Sequence, residues 1–149
     1  MLPFADFFQS PVSGLFTLKV YQCGRLIEEY EDHNLIVDTS RQVHARLLGG
    51  DVANRSVTKI GFGTNGTAPM VGNTTLTAAF VKAIDTVAYP ATNQVQFNFS
   101  LGTSEANGTN IFEFGLLTAG DTLYARKVRS AFLSKDSDIS LTGAWIIHF

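Results

Sequence analysis

Residues 94–101 read Gln-Val-Gln-Phe-Asn-Phe-Ser-Leu, an unbroken alternation of polar and apolar side chains. Successive side chains of a strand point to opposite faces, so Val95, Phe97, Phe99 and Leu101 line one face and the polar residues the other. Such a segment is a half-buried antiparallel strand, with one side on a core and one side in water. The same pattern recurs along the chain. Phe16, Leu18 and Val20 alternate near the start, and Gln22-Cys23-Gly24-Arg25 then reads as a hairpin turn. The return strand, over 26–30, leads into the acids Glu28, Glu29, Glu31 and Asp32. Phe112, Phe114 and Leu116 share one face of a strand over 111–117, which turns at Ala119-Gly120-Asp121-Thr122 into a strand over 123–133. A final strand over 139–149 carries Leu141, Trp145, Ile147 and Phe149.

One helix interrupts this series. Asp38-Thr39-Ser40 supply an N-cap, residues 41–48 have good helix propensity, and Gly49-Gly50 stop it. Val43, Leu47 and Leu48 form its apolar stripe, so it lies on a sheet or plugs one end. Residues 76–89 are apolar enough for a second helix, but Thr74, Thr75, Thr77, Thr86 and Val87 favour strand. About eight strands and one helix predict an all-β fold, an antiparallel, jelly-roll-like β-sandwich with one short α-helix. The expected organisation is an N-terminal interaction arm, residues 1–12, followed by a single domain over 13–149, large enough to bury a core.

Residues 61–66, Gly-Phe-Gly-Thr-Asn-Gly, match the G-x-G-x-x-G dinucleotide fingerprint letter for letter. That motif needs a strand before it and a helix directly after it, whose N-terminus holds the pyrophosphate. The strand is present in Val57-Thr58-Lys59-Ile60, but Pro69 and Gly72 stand where the helix would run. The string therefore reads as a turn after a strand, with glycines supplying positive φ, and no cofactor is expected.

Other chemistry is equally sparse. His33, His44 and His148 lack the close spacing of metal ligands, and Asp136-Ser137-Asp138 lacks the glycine and terminal glutamate of a calcium loop, so no metal is expected. Cys23 is the single cysteine and sits in a turn with no base placed near it. The acids at 28–32 are read as solvated or facing a basic partner surface, with Glu29 and Glu31 on one face and Glu28 on the other. Glu113, among phenylalanines, is expected to reach solvent or to pair with Arg126 or Lys127 across the sheet. No nucleophile elbow, phosphate-loop lysine or Cys-x-x-Cys pair occurs, so no catalytic residue is assigned and the chain is not expected to be an enzyme. Net charge is −2, which offers no general attraction to nucleic acid. No apolar run suffices to span a membrane, and the apolar N-terminus lacks the basic region of a signal peptide. Five Asn-x-Ser/Thr sequons, at Asn54, Asn65, Asn73, Asn98 and Asn107, report abundant turn residues.

Several stretches in order carry a resemblance. His33-Asn34-Leu35-Ile36-Val37-Asp38, the short helix, Ile60-Gly61-Phe62-Gly63-Thr64 through Ala68-Pro69, Phe112-Glu113-Phe114-Gly115-Leu116-Leu117, Gly120-Asp121-Thr122-Leu123-Tyr124-Ala125-Arg126 and Gly143-Ala144-Trp145-Ile146-Ile147-His148-Phe149 together resemble structural proteins of tailed bacteriophages. The resemblance, from about residue 15 onward, implies a small β-rich virion module of the tail, baseplate or fibre, with no catalytic residues to carry over. Charged residues are only 16% of the chain, against roughly 25% in typical soluble domains. Leu2, Phe4, Phe7 and Phe8 would expose a large apolar patch if left in water. These four are the expected interface, with homo-oligomeric copies and other virion proteins as partners. The expected location is the virion, assembled in the host cytoplasm. A capsid decoration or collar protein is the nearest alternative. A receptor- or carbohydrate-binding module is another, weakened by dispersed tyrosines and a Trp145 in a core-like strand.

Overall fold

The computed structural model describes residues 12–149. The expected interface residues Leu2, Phe4, Phe7 and Phe8 lie outside the described residues. Nine strands and one helix follow in the order β1 (Ser13–Gln22), β2 (Arg25–Ile36), α1 (Thr39–Leu48), β3 (Val57–Gly63), β4 (Phe80–Ala83), β5 (Thr86–Ala88), β6 (Gln94–Leu101), β7 (Thr109–Thr118), β8 (Leu123–Lys135) and β9 (Ile139–His148). All pairings are antiparallel, in the order β4-β3-β7-β8-β2-β1-β9-β6-β5. The all-β, antiparallel class with one short helix is as the alternation predicts.

The sheet curls because two stretches of chain pass from one half to the other. β2 pairs with β1 along most of its length, from Gln22↔Arg25 to Gly14↔Asn34, and then gives Leu35 and Ile36 to Arg126 and Ala125 of β8. At the far side β4 pairs with β3 while β5, two residues later, pairs with β6. The crossing is made by Ile84 and Asp85, whose N–H groups donate to Thr58 on β3 and Asn98 on β6, both at 2.9 Å. The two ends of the sheet are thus brought together, and strands that change partners in this way form its corners.

Between the halves lies the core. The Phe16 ring of β1 stands 4.9 Å from Phe114 of β7, 5.8 Å from Phe99 of β6 and 5.0 Å from the fully buried Trp145 of β9. Phe62 of β3 reaches Phe99 at 6.1 Å and Phe114 at 5.7 Å. The strand over 94–101 does what its alternation dictates: Phe97, Phe99 and Leu101 are buried and Asn98 and Ser100 face outward. At the β1–β2 turn both central residues, Cys23 and Gly24, have positive φ (50° and 78°), the signature of the two-residue hairpin loop.

Four expectations change in detail. The helix stripe is Ser40 and Val43, not Val43, Leu47 and Leu48: Leu47 is half-exposed and Leu48 is 92% exposed. Leu48 is five residues from Val43, about 140° round the helix, and cannot share its face. Asp38 makes no side-chain cap; its own N–H donates to Val71 instead. Residues 76–89 do favour strand over helix, but they form two short strands broken at the 84–85 crossing. Finally, Phe112 leaves the face of Phe114 and Leu116. A bulge between Ile111 and Glu113 inverts the phase, and Phe112 packs on Phe132 at 5.4 Å while Ile111 takes the core position.

Candidate functional site

The outer faces of the two halves differ, and the glycine string shows why. Gly61 and Gly63 lie within β3, and none of Gly61, Gly63 and Gly66 is among the glycines of positive φ. The expectation of turn glycines is corrected: they are needed for close approach. A Cβ on Gly63 would stand 2.7 Å from Glu113 Cγ and 2.9 Å from the Thr77 carbonyl oxygen, and one on Gly66 would stand 2.8 Å from the Phe112 ring. The chain from 64 to 79 folds over β3 and β7, where Leu76 packs on Val37, Leu117 and Leu123 as a small second core.

Beneath this loop Glu113 is fully buried. Its carboxylate accepts the N–H of Asn65 at 2.8 Å and that of Thr77 at 3.3 Å, and lies 3.5 Å from the Arg126 guanidinium. Arg126 donates in turn to Asn73 Oδ1 at 3.0 Å and the Asn65 carbonyl at 3.1 Å. The pairing with Arg126 is as expected; solvent access is removed because the face opposite Phe114 is roofed. The glycine string does present backbone N–H to an anion, but the anion is the protein's own carboxylate. Gly63→Ala should therefore destabilise by about 1–3 kcal/mol through overpacking, measured by urea unfolding. Addition of NAD or ATP should leave the melting temperature of the wild type unchanged.

A second set of charges fills the gap where β2 and β8 diverge. Lys127 donates to Asp32 at 2.6 Å and to the His33 carbonyl at 3.0 Å, and Arg129 pairs with Glu28. The Tyr30 ring lies between, with Lys127 Nζ 5.5 Å and Arg129 Cζ 5.1 Å from its centroid. The Lys127 ammonium and the His33 N–H hold the Asp32 carboxyl below its usual range. The basic surface expected to meet these acids thus belongs in part to the same chain.

On the other half, no described residue covers the outer face of β2, β1, β9, β6 and β5, which forms an open trough of about 830 Å³. Register sets its chemistry. One row across the strands runs Glu31, Thr17, Ala144, Asn98, Thr86; the next runs Glu29, Lys19, Thr142, Ser100. Glu29 and Glu31 share this face, as expected, and Asp85 closes the opposite wall.

A smaller apolar pocket of about 130 Å³ lies where α1 meets the sheet, lined by Val43, Leu47, Val95 and Phe149 among others. There His44 Nε2 and the Tyr124 hydroxyl are 2.6 Å apart. Burial lowers the His44 pKa and raises that of Tyr124. A histidine depressed below its ordinary value of 6.5 binds fewer protons folded than unfolded. Its contribution to stability is present above about pH 6.5 and is lost as pH falls through the folded value. The melting temperature should fall between pH 7.5 and pH 5, more steeply in the wild type than in His44→Gln, followed by scanning calorimetry.

His33 contacts the Gly14 carbonyl at 3.3 Å, apart from His44, and Cys23 is an exposed free thiol. No group of three or more His, Cys, Asp or Glu able to hold a metal occurs among the described residues, and none of their helices is long and apolar enough to cross a membrane. Compared with known proteins, the chain matches no family model, no curated protein and no solved structure.

Proposed function

We propose that the chain is a non-enzymatic structural protein of a tailed-phage virion, a self-assembling β module of the tail, baseplate or fibre-attachment region. The observation that carries this reading is the use of its buried charges. Among the described residues the buried charged ones are Glu113, Arg126, Lys127, Arg129 and Lys135, and each has a partner within the chain that ties a loop or strand in place. Such an interior supports a rigid scaffold rather than a site holding groups ready for chemistry. The ordered resemblance to phage structural proteins and the low charge support the same reading. We read the two facing halves of the curled sheet as the layers of a jelly-roll-like sandwich, since Phe16, Phe62, Phe99 and Phe114 pack between them.

Assembly in this proposal uses the apolar arm with Leu2, Phe4, Phe7 and Phe8, docking on another copy or on a second virion protein. Deleting residues 1–11 leaves Val12, which packs against the core, and so separates assembly from folding. Native mass spectrometry should show an oligomer for the full chain and a folded monomer for the deletion. A full chain that stays monomeric contradicts self-assembly through the arm, and an oligomer that survives the deletion contradicts the arm as its interface. A capsid decoration or collar position would differ in copy number per particle.

A further inference from the structure

The roofed face and the bare face of the curled sheet ask for different explanations. Over β3 and β7 the chain supplies its own cover. Over β9 it supplies none among the described residues, and it leaves a trough whose floor is made of small side chains, Thr17, Thr142, Ala144 and Ser100. The walls are taller: Glu29 and Glu31 on β2, and Asp85 at the β5 side.

The polar groups here are fixed in position. Gln96 Nε2 donates to Asn98 Oδ1 at 2.8 Å, Asn98 Nδ2 donates to Thr86 Oγ1 at 2.9 Å, and Thr17 Oγ1 donates to the Ala144 carbonyl at 3.1 Å. Ser100 and Thr142 are direct register partners, and their hydroxyls take no protein hydrogen bond among the described residues. Groups held by strands and by their neighbours lose little freedom when a ligand arrives. Hydroxyl and amide groups both donate and accept, while carboxylates accept from two donors at once. That is the complement of a molecule carrying many hydroxyls.

We propose that this trough binds a neutral oligosaccharide, laid across β9 with its hydroxyls on Thr142, Ser100 and Asn98 and on the carboxylates of Glu31 and Asp85. The competing occupant, a cationic peptide, would use only the carboxylates. It is disfavoured because Lys19 stands on the same face, 3.8 Å from Glu29, and because the floor is hydroxyl-lined. Neither aromatic residue of the trough offers a ring for stacking: Phe99 is buried in the core, and Tyr30 is turned inward onto Phe16, near Lys127 and Arg129. Binding by hydrogen bonds without a stacking platform is weak for one copy and gains strength when several copies present the trough together. The inference concerns the isolated chain and does not rest on the assembly reading.

The test is an amide chemical-shift titration of the full chain with neutral hexasaccharides of glucose, mannose and N-acetylglucosamine at millimolar concentration, with hexalysine as the competing probe. At least one sugar should shift the amides of β9, β6 and β1 on this face. Thr142→Arg, at an exposed position on the floor, should abolish those shifts with an unchanged melting temperature, and Asn98→Ala should weaken binding by about tenfold. No shift with any of these sugars, sugar binding indifferent to Thr142→Arg, or shifts with hexalysine alone would overturn the proposal. Native mass is read separately, so a failure here leaves the arm deletion result intact, and the reverse holds too.

Discussion

Phe16→Ala is expected to lower the stability of the chain by about 3–5 kcal/mol. Phe16 is fully buried on β1 and touches rings from four other strands: Tyr30, Phe99, Phe114 and Trp145. Its loss opens a cavity where the two halves of the sheet meet, and neither half can close it, because each is fixed by its own hydrogen-bonded ladder. Phe16→Leu keeps much of the volume and should cost less, about 1–2 kcal/mol. Urea unfolding followed by tryptophan fluorescence is direct here, since Trp145, the one tryptophan, is packed 5.0 Å from Phe16.

The second large effect is at Glu113. Replacement by alanine leaves the Arg126 guanidinium buried without its charge partner and strips the acceptor from the N–H groups of Asn65 and Thr77. Breaking a buried pair from one side costs about 3–5 kcal/mol. Glu113→Gln keeps an acceptor for one of those donors and should lose less. The two variants should also differ from Phe16→Ala in where they fail. Removing Glu113 frees the 64–79 loop, so limited proteolysis should cut there first, before global unfolding. A Glu113→Ala protein with an uncut loop and wild-type stability would show that the carboxylate does not hold the roof.

Alternation made much of the sheet legible. Period two fixed which of residues 94–101 face the core, and it placed Phe16, Leu18, Val20, Leu141 and Trp145 correctly. The pairing of Glu113 was readable in part: an acid among phenylalanines needs water or a partner, and the next strand offered both Arg126 and Lys127, of which the fold uses Arg126 and gives Lys127 to Asp32. What stayed hidden depends on contacts far apart in sequence. β2 runs to Ile36, beyond the expected return strand, because residues 31–34 pair with the start of β1 and Leu35 and Ile36 pair with Arg126 and Ala125 of β8, far along the chain. The strand's own composition does not announce that. Phe112 could not be placed by alternation, since one bulge inverts the phase of everything before it. The glycine string concealed a packing requirement rather than a turn: the need for space at Gly63 and Gly66 comes from Glu113 and Phe112, some fifty residues on. The trough was legible only as separate polar positions on five strands, and register alone brings them to one face.

The proposal that the chain is a virion component is decided by quantitative mass spectrometry of particles purified from cultures in which the chain is expressed. The chain is expected in those particles at a fixed copy number, retained through a high-salt wash. Its absence from the particles, with the chain recovered only in the soluble lysate, would rule out a virion role.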